Sequence, residues 1–578
     1  MPSSESVPKR RESPRKRGAT TKPSRPEAVP LETEDAPRPD PQGARRGALL
    51  FSPRNIYLAS VVLKLLLVYT YASTDLDVHT NWLAITHSRP FKDWYADHAS
   101  TSEWTLDYPP FFAWFEFGLA KIASIFPFLR PFLDVENEAY TQCGRHIACL
   151  LFQRLSVIAS EFVLFAAVVF ATIPEPRRNR ALAIFLVLFH PGLLIVDHIH
   201  FQYNGFLLGL LLISTTLASS GNDVLATVAF SMLLCFKHIY LYVAPAFGCY
   251  YLGVLFNSQL RGLRRIRFFV SLAAAATFVL ALAFGPVYYY GMTGQMVRRL
   301  FPLERGLIHA YWAPNFWALY ATAEKVSTFF LGAKSATNGV PVVSMMSGMS
   351  EMSDMVSGST GVSTAAFTGG LVQVTSFQVL PQVTSTTTAV LTLVSMLPAM
   401  IRLLRRPIAG QLWPAVVYCS LCSFMFGYHV HEKAILMTLI PMAVSIVSLP
   451  MSGGGDGQSR ARSRYLFLSL IGTYSLFPLL TGVEEYPVKV GMLVGYGVVA
   501  RRLLGDEHFS PTPGLEKGLR RPGIIENLER FYATYGIVAV ELYATFLHRR
   551  VFGDAWPFVP LMLVSRCVLC RSFHVPDQ

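Results

Sequence analysis

The stretch Ser73-Thr-Asp-Leu-Asp-Val-His-Thr-Asn-Trp82 follows directly after the first long apolar run, and the polar segment that it opens ends at Trp104-Thr-Leu-Asp-Tyr-Pro-Pro110. Acidic and aromatic residues are dense in this segment: Asp75, Asp77, His79, Trp82, Asp93, Trp94, Asp97, Glu103, Trp104 and Asp107. Acids and tryptophans beside a membrane span indicate a site for a sugar or a polar lipid. The same residues also fit a solvated loop whose tryptophans anchor at the level of the lipid headgroups.

The composition is that of a membrane protein with several spans. Hydrophobic residues make up 52% of the chain and charged residues only 15%, which is far from the balance found in a soluble domain. The formal net charge is +13, but the basic residues cluster between apolar runs, as expected where positive loops stay on the cytosolic side of a membrane. We therefore expect the lipid bilayer as a partner and exclude nucleic acid.

The eight cysteines do not define a disulfide framework. Five lie in or beside apolar runs, where a thiol is usually a small buried hydrophobic group: Cys149, Cys235, Cys249, Cys419 and Cys422. Cys567 and Cys570 form a C-x-x-C pair near the end of the chain, without a second pair at the spacing of a zinc site. Packing at the membrane edge or acylation explains that pair equally well.

The chain opens with a polar tail. Residues 1–47 are rich in Pro, Ser, Arg and Glu and lack an apolar stretch, so they cannot bury enough surface to offset chain entropy. We expect a disordered basic tail and no cleavable signal peptide. The first span is then 55–72, close to the ~20 apolar residues that a bilayer requires. Because basic residues precede this span, the amino terminus is expected to be cytosolic and Ser73 onward luminal.

The topology depends on the segment 111–129, which is apolar but contains Glu116 and Lys121. If it does not cross, the expected spans number about 14: 55–72, 150–172, 181–198, 204–220, 222–240, 241–256, 267–287, 380–402, 411–428, 434–450, 464–481, 486–503, 531–548 and 555–572. The basic loops then fall on the side of the amino terminus: 177–180, 261–267, 402–406, 460–464 and 501–502. We therefore predict that 111–129 lies in or re-enters the luminal interface. Only the basic segment 548–550 violates the rule that basic loops fall on the side of the amino terminus.

On this topology the chain has three parts. After the tail, residues 48–503 form the main transmembrane domain, with luminal loops at 73–149 and 288–379. The second loop contains a low-complexity insert at 337–370, rich in Met, Ser, Gly and Thr, which is expected to be flexible. Residues 504–578 form a carboxyl-terminal segment that ends in a helical hairpin.

Four further polar clusters fall at the luminal ends of spans on the same topology. They are Asp197-His-Ile-His-Phe-Gln-Tyr-Asn204, Phe236-Lys-His-Ile-Tyr240, the segment 298–312 and Phe426-Gly-Tyr-His-Val-His-Glu-Lys433. Ionisable groups at membrane depth tend to line a site, so their shared side supports a luminal membrane-surface site. The cations suit a phosphate, although Lys237, Arg298 and Arg299 also fit cations that snorkel to headgroups. The histidine pairs 198/200 and 429/431 lack H-E-x-x-H spacing, and no metal site is predicted.

Together these motifs resemble the endoplasmic-reticulum glucosyltransferases of asparagine-linked glycan assembly, which are membrane enzymes of the GT-C fold. The resemblance runs from about residue 52 to about residue 500, and it also includes Arg299-Leu-Phe-Pro302, Arg305-Gly-Leu307, Ala313-Pro-Asn-Phe-Trp317 and Val430-His-Glu-Lys433. Three local features are most similar to the enzymes that add the second glucose: Ser102-Glu-Trp-Thr105, His198-Ile-His200 and His309-Ala-Tyr-Trp312.

The resemblance implies an all-α GT-C fold with a first luminal loop of surface helices. It implies transfer of glucose from dolichyl phosphate β-D-glucose to Glc1Man9GlcNAc2 diphosphodolichol, with inversion, an α-1,3 linkage, and no nucleotide sugar or other cofactor. It also implies a multi-pass protein of the endoplasmic-reticulum membrane with a luminal active site. The chain departs from the family at Asp77, usually Glu, and at Thr80, usually Arg. The contacts of that arginine must therefore be made by other residues.

The family's acidic residue after the first span falls on Asp75, which we expect to be the general base that deprotonates the acceptor hydroxyl. Asp75 also fits a residue that merely caps the first surface helix, and Asp77 and Asp107 are the backup acids. Asp107 also fits a residue that orients a sugar hydroxyl or caps the turn before Pro109. The donor phosphate and sugar are expected to contact His198, His200, Gln202, Tyr203, Lys237, Arg299, Arg305, His309, His429, His431, Glu432 and Lys433. Structural roles also fit several of these residues, and Glu432 fits a local ion pair with Lys433.

Two other functions fit some of these observations. The sister enzyme of the family adds the first glucose to Man9GlcNAc2 diphosphodolichol, and an unglucosylated acceptor would distinguish it. A transporter of lipid-linked oligosaccharide would also need cations for a diphosphate headgroup, but it predicts polar groups spread through the membrane. Here the polar motifs gather at one face, with Lys64 and Glu161 as exceptions inside spans, and no paired broken helices stand out.

Overall fold

The structure is a computed structural model that describes most of the chain. The described residues are 52–99, 102, 104–257, 261–301, 306–309, 313–336, 377, 379–448, 454–480, 483–505, 531–553 and 558–566. The predicted tail, the insert at 337–370, Arg305 and the Cys567–Cys570 pair lie outside these ranges. Throughout the described ranges the regular structure is helical, and the chain from Leu50 onward is one compact unit.

The helices follow one another through short connections. In the first half they are α1 (Pro53–Leu66), α2 (Thr74–Ser88), α3 (Pro110–Ser124), α4 (Ile147–Ser160), α5 (Phe162–Ala171), α6 (Arg177–Leu188), α7 (Asn204–Ser219), α8 (Asp223–Phe236), α9 (Ala244–Asn257) and α10 (Leu263–Tyr289). In the second half they are α11 (Thr293–Leu300), α12 (Phe316–Ala336), α13 (Ser385–Arg405), α14 (Leu412–Phe426), α15 (Leu436–Ser448), α16 (Gly454–Tyr474), α17 (Tyr486–Leu504), α18 (Ile537–Leu542), α19 (His548–Phe552) and α20 (Phe558–Arg566). A turn at Pro191–Leu193 and a π-helical turn at Leu194–Ile199 extend α6.

Within the described ranges, 6 helical segments are long and apolar enough to cross a membrane. They are Ile147–Ala171, Arg177–Ile199, His238–Asn257, Leu263–Tyr289, Ser385–Arg405 and Ala409–Phe426. Each overlaps a predicted span, and α7 and α8 are apolar but shorter. The protein is therefore an all-α polytopic membrane protein, as its composition predicts.

The apolar segment 111–129 begins with α3, which is too short to cross a bilayer on its own. α3 has 15 residues, which is about 22 Å at 1.5 Å per residue, against a hydrocarbon core of about 30 Å. It packs on α2, and its Glu116 is fully buried, with Oε1 2.8 Å from His79 Nδ1. The omission of 111–129 from the spans stays a prediction.

The helix α12 lies inside the second predicted luminal loop, where the sequence did not indicate a helix. Its buried Glu324 accepts backbone N–H groups from Val379 at 3.0 Å and Leu380 at 2.8 Å. Because one carboxylate satisfies both backbone donors, the end of the loop is held against α12. Because α12 mixes polar and apolar residues, hydropathy alone does not predict this helix.

The tryptophans of the first loop belong to a protein core. Trp82 and Trp94 are only 3% and 2% exposed. Trp82 packs against Tyr108 and Phe112, with ring centroids 4.8 Å and 5.8 Å away. The interpretation of the loop tryptophans as headgroup anchors is therefore wrong for Trp82 and Trp94.

One cysteine prediction is also wrong. Cys149 is not a simple buried thiol, because it forms a disulfide with Cys143, six positions earlier in the chain. The two residues lie at the junction of the first loop with α4. The sequence did not indicate the bond because Cys149 opens an apolar run, where a thiol is usually a small buried hydrophobic group. Cys235, Cys249, Cys419 and Cys422 are buried and free, as predicted.

The two ends of the helical bundle differ in chemistry. At one end, called the polar end, Tyr71 after α1 contacts both His200 after α6 and Leu479 after α16. At the opposite end, called the basic end, Asn257 at the end of α9 donates to the Leu404 carbonyl near the end of α13, at 2.5 Å. The predicted polar clusters meet at the polar end, and the basic segment 402–406 meets the end of α9 at the basic end. Which side of the membrane each end faces stays a prediction.

Candidate active site

Asp75 lies in the first turn of α2, at the polar end. Its Oδ2 atom is contacted by Lys433 Nζ at 2.5 Å, by Gln202 Nε2 at 2.7 Å and by His200 Nε2 at 3.3 Å. In the described part of the chain no hydrogen bond reaches Oδ1, and the side chain is 23% exposed. One carboxylate oxygen is therefore held by protein, and the other is left for a substrate group.

The neighbours of Asp75 keep it ionised. Burial alone would raise the pKa of this carboxyl group, but Lys433 and His200 outweigh burial and hold the pKa well below the usual range of an aspartate. Near neutral pH the group is therefore a carboxylate, which can accept a hydrogen bond from a hydroxyl group but cannot donate one.

Two side-chain amides connect Asp75 to Lys237. Gln202 Oε1 accepts from Asn204 Nδ2 at 2.8 Å, and Asn204 Oδ1 accepts from Lys237 Nζ at 3.2 Å. The second hydrogen of Asn204 Nδ2 goes to Asp197 Oδ1 at 2.9 Å. Because each amide nitrogen and oxygen has a defined partner, Gln202 and Asn204 are fixed in orientation. The network holds the amide of Gln202 in place to donate to Asp75.

His200 connects Asp75 to the end of α1. Its Nδ1 lies 2.7 Å from Tyr71 Oη, which is also 2.6 Å from the Leu479 carbonyl oxygen. Because a carbonyl oxygen cannot donate, the single proton of Tyr71 goes to Leu479, and His200 Nδ1 must carry the proton that faces Tyr71. Burial, with Lys433 close by, lowers the pKa of His200 to about 4. The ring is therefore neutral near pH 7, and its unprotonated Nε2 faces Asp75.

Two non-glycine residues among those described have a left-handed backbone, and both lie in loops of this site. The φ angle is 74° at Phe201 and 50° at His429. Bulky residues rarely adopt this conformation, and it persists only where surrounding contacts hold it. Phe201 is fully buried, and the turn at Phe201 directs both His200 and Gln202 toward Asp75.

The segment before α12 and the loop before α15 pair with each other at the polar end. The His429 N–H donates to the Leu307 carbonyl at 3.1 Å, and Ile308 and Val430 form an isolated β-bridge. The His429 ring is also held, since its Nδ1 lies 2.6 Å from the Gly306 carbonyl oxygen. This pairing fixes the positions of the histidines on the two segments.

His309, His431 and Glu432 form a compact cluster next to Lys433. The two imidazole rings lie 3.8 Å apart, and His431 Nδ1 and His309 Nδ1 are 2.7 Å and 3.6 Å from the buried Glu432 carboxylate. One ligand atom from each residue lies within 4.8 Å of the others, a spacing that could hold a metal ion. The sequence did not indicate this trio, because His309 is far from the other two along the chain.

His198 and Tyr203 do not face Asp75. His198 Nε2 lies 2.9 Å from Glu161 Oε2, and Lys64 Nζ lies 2.6 Å from the same oxygen. Tyr203 Oη is 2.7 Å from Ser156 Oγ. Both residues were expected to contact the phosphate or sugar, but their side chains bond to partners inside the protein.

Arg154 on α4 is a buried cation behind the site. It is 2% exposed, and its guanidinium donates to the His198 carbonyl at 2.5 Å and to the Tyr71 carbonyl at 2.9 Å. Arg154 therefore ties the segment before Asp75 to the segment that carries His200. The predicted site residues did not include Arg154, Tyr71 or Asn204. A charge inside an apolar run was the available signal for Arg154.

The other predicted residues have separate surroundings. Arg299 pairs with Asp97 of the first loop, and no contact of Arg299 with the Asp75 cluster occurs among the described residues. Asp107 accepts the Thr105 hydroxyl at 2.7 Å, which suits the turn-capping interpretation. Asp77 is half-buried, and burial raises its pKa.

The fold and the site define a class of protein, the multi-span membrane enzymes that act at one membrane surface. Apolar helices surround a polar end where an ionised carboxylate stands among lysines and histidines. A carboxylate can remove a proton, and fixed cations can stabilise an anionic leaving group. This combination suits the transfer of a group from a lipid-linked phosphate.

Comparison with known sequences identifies the family. Residues 60–575 match the ALG6, ALG8 glycosyltransferase family. A protein of Arabidopsis thaliana named dolichyl pyrophosphate Glc1Man9GlcNAc2 alpha-1,3-glucosyltransferase is 38% identical over 514 residues, covering 88% of this chain and 93% of its own length. Proteins of the same name from Schizosaccharomyces pombe and Bos taurus are 40% and 38% identical, covering 88% of this chain and 94% and 91% of their own lengths. The chain therefore belongs to the ALG6, ALG8 glycosyltransferase family, which confirms the resemblance in the sequence.

Proposed function

We propose that this enzyme transfers glucose from dolichyl phosphate β-D-glucose to Glc1Man9GlcNAc2 diphosphodolichol and forms an α-1,3 linkage. The observation that carries the proposal is the Asp75 carboxylate, which has one oxygen held by Lys433 and Gln202, with His200 close by, and the other oxygen available. The names of the relatives supply the acceptor and the linkage. The phosphate-linked donor follows from the family resemblance and from the cations beside Asp75.

The reaction is a single displacement at the anomeric carbon. Asp75 Oδ1 takes the proton of the acceptor hydroxyl as the hydroxyl oxygen forms its bond to the anomeric carbon. The bond from this carbon to the phosphate oxygen breaks at the same time, and its electron pair stays on the phosphate. Attack from the face opposite the leaving group converts the β-linked donor into an α-linked product. A base of this kind contributes about 10²–10⁴-fold in rate.

The leaving phosphate needs positive charge rather than a strong acid. Lys433 stands at the Asp75 carboxylate, and Lys237 is joined to Asp75 through Gln202 and Asn204. His309 and His431 lie beside the buried Glu432, and their ring N–H groups can donate hydrogen bonds to an anion. Fixed cations and N–H donors at this position would stabilise the charge that develops on the phosphate.

The proposed topology places this site in the lumen of the endoplasmic reticulum and the amino terminus in the cytosol, with about 14 spans in a GT-C fold. The basic loops at one end of the bundle support this orientation. A further support is the Cys143–Cys149 disulfide next to the polar end, since disulfides form in oxidising compartments such as this lumen.

The test is glucose transfer by purified enzyme with a synthetic dolichyl-phosphate-glucose analogue. Wild type is compared with Asp75→Asn, and Asp77→Asn on the same helix is the matched control. The asparagine keeps the hydrogen bonds to Lys433 and Gln202 but cannot accept the proton, so we expect turnover to fall by ~10²-fold or more with donor binding unchanged. The control variant should retain turnover.

The monoglucosylated and the unglucosylated acceptor are supplied in separate reactions, so that the assay also identifies which glucose is added. We expect transfer to the monoglucosylated acceptor, and transfer only to the unglucosylated acceptor would identify the sister activity instead. Near-normal turnover by Asp75→Asn would move the base to Asp77 or Asp107. Absence of any transfer by wild type, despite binding of donor and acceptor, would contradict the proposed reaction.

A further inference from the structure

A cleft of about 330 Å³ lies between α8, α9 and α10, apart from the Asp75 site. Its lining is almost entirely apolar and includes Phe230 on α8, Phe247 on α9, and Phe269 and Leu272 on α10. Both α9 and α10 belong to segments long and apolar enough to cross a membrane. The cleft therefore opens within the hydrocarbon layer, where an apolar chain fills it better than water does.

On α10 the cleft lies in the half nearer the basic end, whereas on α8 it lies near the middle and on α9 its lining runs from Ala244 to Leu255, almost the whole helix. On α8 its lining residues are Thr227, Phe230 and Ser231, and on α10 the lining begins at Phe268. Lys237, which marks the polar end of α8, is ~9 Å beyond Ser231 along the helix axis, whereas Phe268 is ~8 Å from the start of α10. A lipid whose headgroup sits at the basic end can therefore lay its chain directly into the cleft.

A cluster of cations stands where this lipid would place its headgroup. Arg261, Arg264, Arg265 and Arg267 lie at the start of α10, and the sequence from 255 to 270 contains no acid. Successive residues of an α-helix are about 100° apart around its axis, so Arg265 shares a helix face with the lining residues Phe268, Phe269 and Leu272. Arg267 lies on another face of α10. Arg265 is half-buried, and its Nε is buried without a hydrogen-bond partner among the described residues.

We propose that this cleft binds an anionic glycerophospholipid, with one acyl chain between α8, α9 and α10 and the phosphate at Arg265. The apolar lining selects a hydrocarbon chain, and the Arg265 guanidinium, whose buried Nε has no partner among the described residues, selects a negative headgroup. The proposal concerns a second lipid site, because the sugar-transfer site lies at the opposite end of the bundle. It stands independently of the proposed function, since lipid binding is measured without turnover.

The test measures which lipids the full-length protein retains. Purified enzyme is incubated with equal amounts of phosphatidylserine and phosphatidylcholine and passed through a desalting column, and bound lipid is quantified by mass spectrometry. Wild type should retain phosphatidylserine in excess. Arg265→Gln should lower the retained phosphatidylserine about fivefold, which corresponds to about 1 kcal/mol. Arg267→Gln is the matched control on the opposite face and should behave as wild type.

A cleft-filling variant tests the acyl chain separately. Gly248 lines the cleft, and a Cβ atom added there would meet no atom within 4 Å, so Gly248→Leu can occupy the cleft without a clash. It should lower the retention of both lipids with the thermal unfolding midpoint unchanged. Equal losses in the Arg265 and Arg267 variants would overturn the site, because they would indicate general attraction to a basic surface. Equal retention of the two lipids by wild type would also overturn it.

Discussion

Two carboxylates in this protein have the same kinds of neighbours and opposite surroundings. Asp75 and Glu161 each have one side-chain oxygen in contact with a lysine and a histidine. The partners are Lys433 and His200 for Asp75, and Lys64 and His198 for Glu161. The Asp75 side chain is 23% exposed and has an available oxygen. The Glu161 side chain is 3% exposed, and its other oxygen is buried with no hydrogen bond from any described residue.

The comparison shows that the residue types in a charged cluster do not by themselves define a site. The Glu161 cluster joins α1, the α4–α5 junction and the π-helical turn after α6, so it holds together the helices under the polar end. The Asp75 cluster stands on top of those helices and leaves one oxygen for a substrate. We call the Glu161 cluster the closed cluster and the Asp75 cluster the open cluster. The closed cluster should control stability, and the open cluster should control turnover.

The largest expected effect comes from opening the closed cluster. Glu161→Gln leaves the Lys64 ammonium, which is 1% exposed, without a compensating charge. Removing one partner of a buried ion pair typically costs about 3–5 kcal/mol. We therefore expect a marked fall in the thermal unfolding midpoint of the purified protein in detergent, with transfer per folded molecule little changed.

The matched control replaces both partners of the pair. Lys64→Met with Glu161→Leu removes the two charges together, and replacing a buried ion pair by apolar residues is often neutral or stabilising. The double variant should therefore recover most of the lost stability. A double variant that is fully stable but inactive would show that the Glu161 cluster takes part in the chemistry, and the distinction between the two clusters would fail.

The next effect concerns the lysine of the open cluster. Lys433→Met removes the positive charge at 2.5 Å from Asp75 and a cation proposed to stabilise the leaving phosphate. Loss of one such electrostatic contact typically lowers turnover by about 10²-fold. The unfolding midpoint should change less than in Glu161→Gln, because Asp75 remains in contact with water. Lys121→Met, at an exposed lysine of α3, is the control for loss of a charge.

The pH dependence of the Lys433 variant gives a second measurement. Lys433 and His200 hold the pKa of Asp75 well below its usual range, so in wild type the carboxylate stays ionised down to low pH. Without Lys433, the effect of burial gains weight and the pKa of Asp75 rises. The acidic limb of turnover against pH should therefore move to higher pH in the variant. An unchanged limb would show that Asp75 is not the group whose ionisation controls transfer.

Much of the framework could be predicted from the sequence, because membrane helices follow from apolar runs and their orientation from basic loops. Each helical segment long enough to cross overlaps a predicted span, and the predicted polar clusters meet at one end. Asp75 was indicated by its place after the first span and by the family motif. These features are local in sequence and need no knowledge of which side chains touch.

The partners of each residue could not be predicted, because they depend on backbone turns that the sequence does not reveal. His198 and His200 are two positions apart, yet His198 faces Glu161 and His200 faces Asp75. The π-helical turn and the left-handed Phe201 set these directions. The Cys143–Cys149 disulfide and the pairing of Arg299 with Asp97 likewise depend on how the first loop folds.

The smallest expected effect tests the proton arrangement in the open cluster. Tyr71 Oη fixes the proton of His200 on Nδ1, so that Nε2 faces Asp75 at 3.3 Å without a proton to donate. Tyr71→Phe removes this constraint, so the proton can move to Nε2 and donate to Asp75, which makes the carboxylate a weaker base. We expect turnover to fall about 3–10-fold, equivalent to about 1 kcal/mol of barrier, with KM for the donor unchanged.

A second variant separates this proton effect from a loss of packing. His200→Gln cannot exchange tautomers, so adding Tyr71→Phe to it should lower turnover no further, and the double-mutant cycle would show strong coupling between the two positions. The Glu161 cluster has no such hydroxyl partner on its histidine ring among the described residues, so no aromatic hydroxyl there should affect turnover in this way. Additive losses from Tyr71→Phe and His200→Gln would mean that Tyr71 acts by packing alone. In that case the open cluster would differ from the closed one in exposure but not in the placement of its protons.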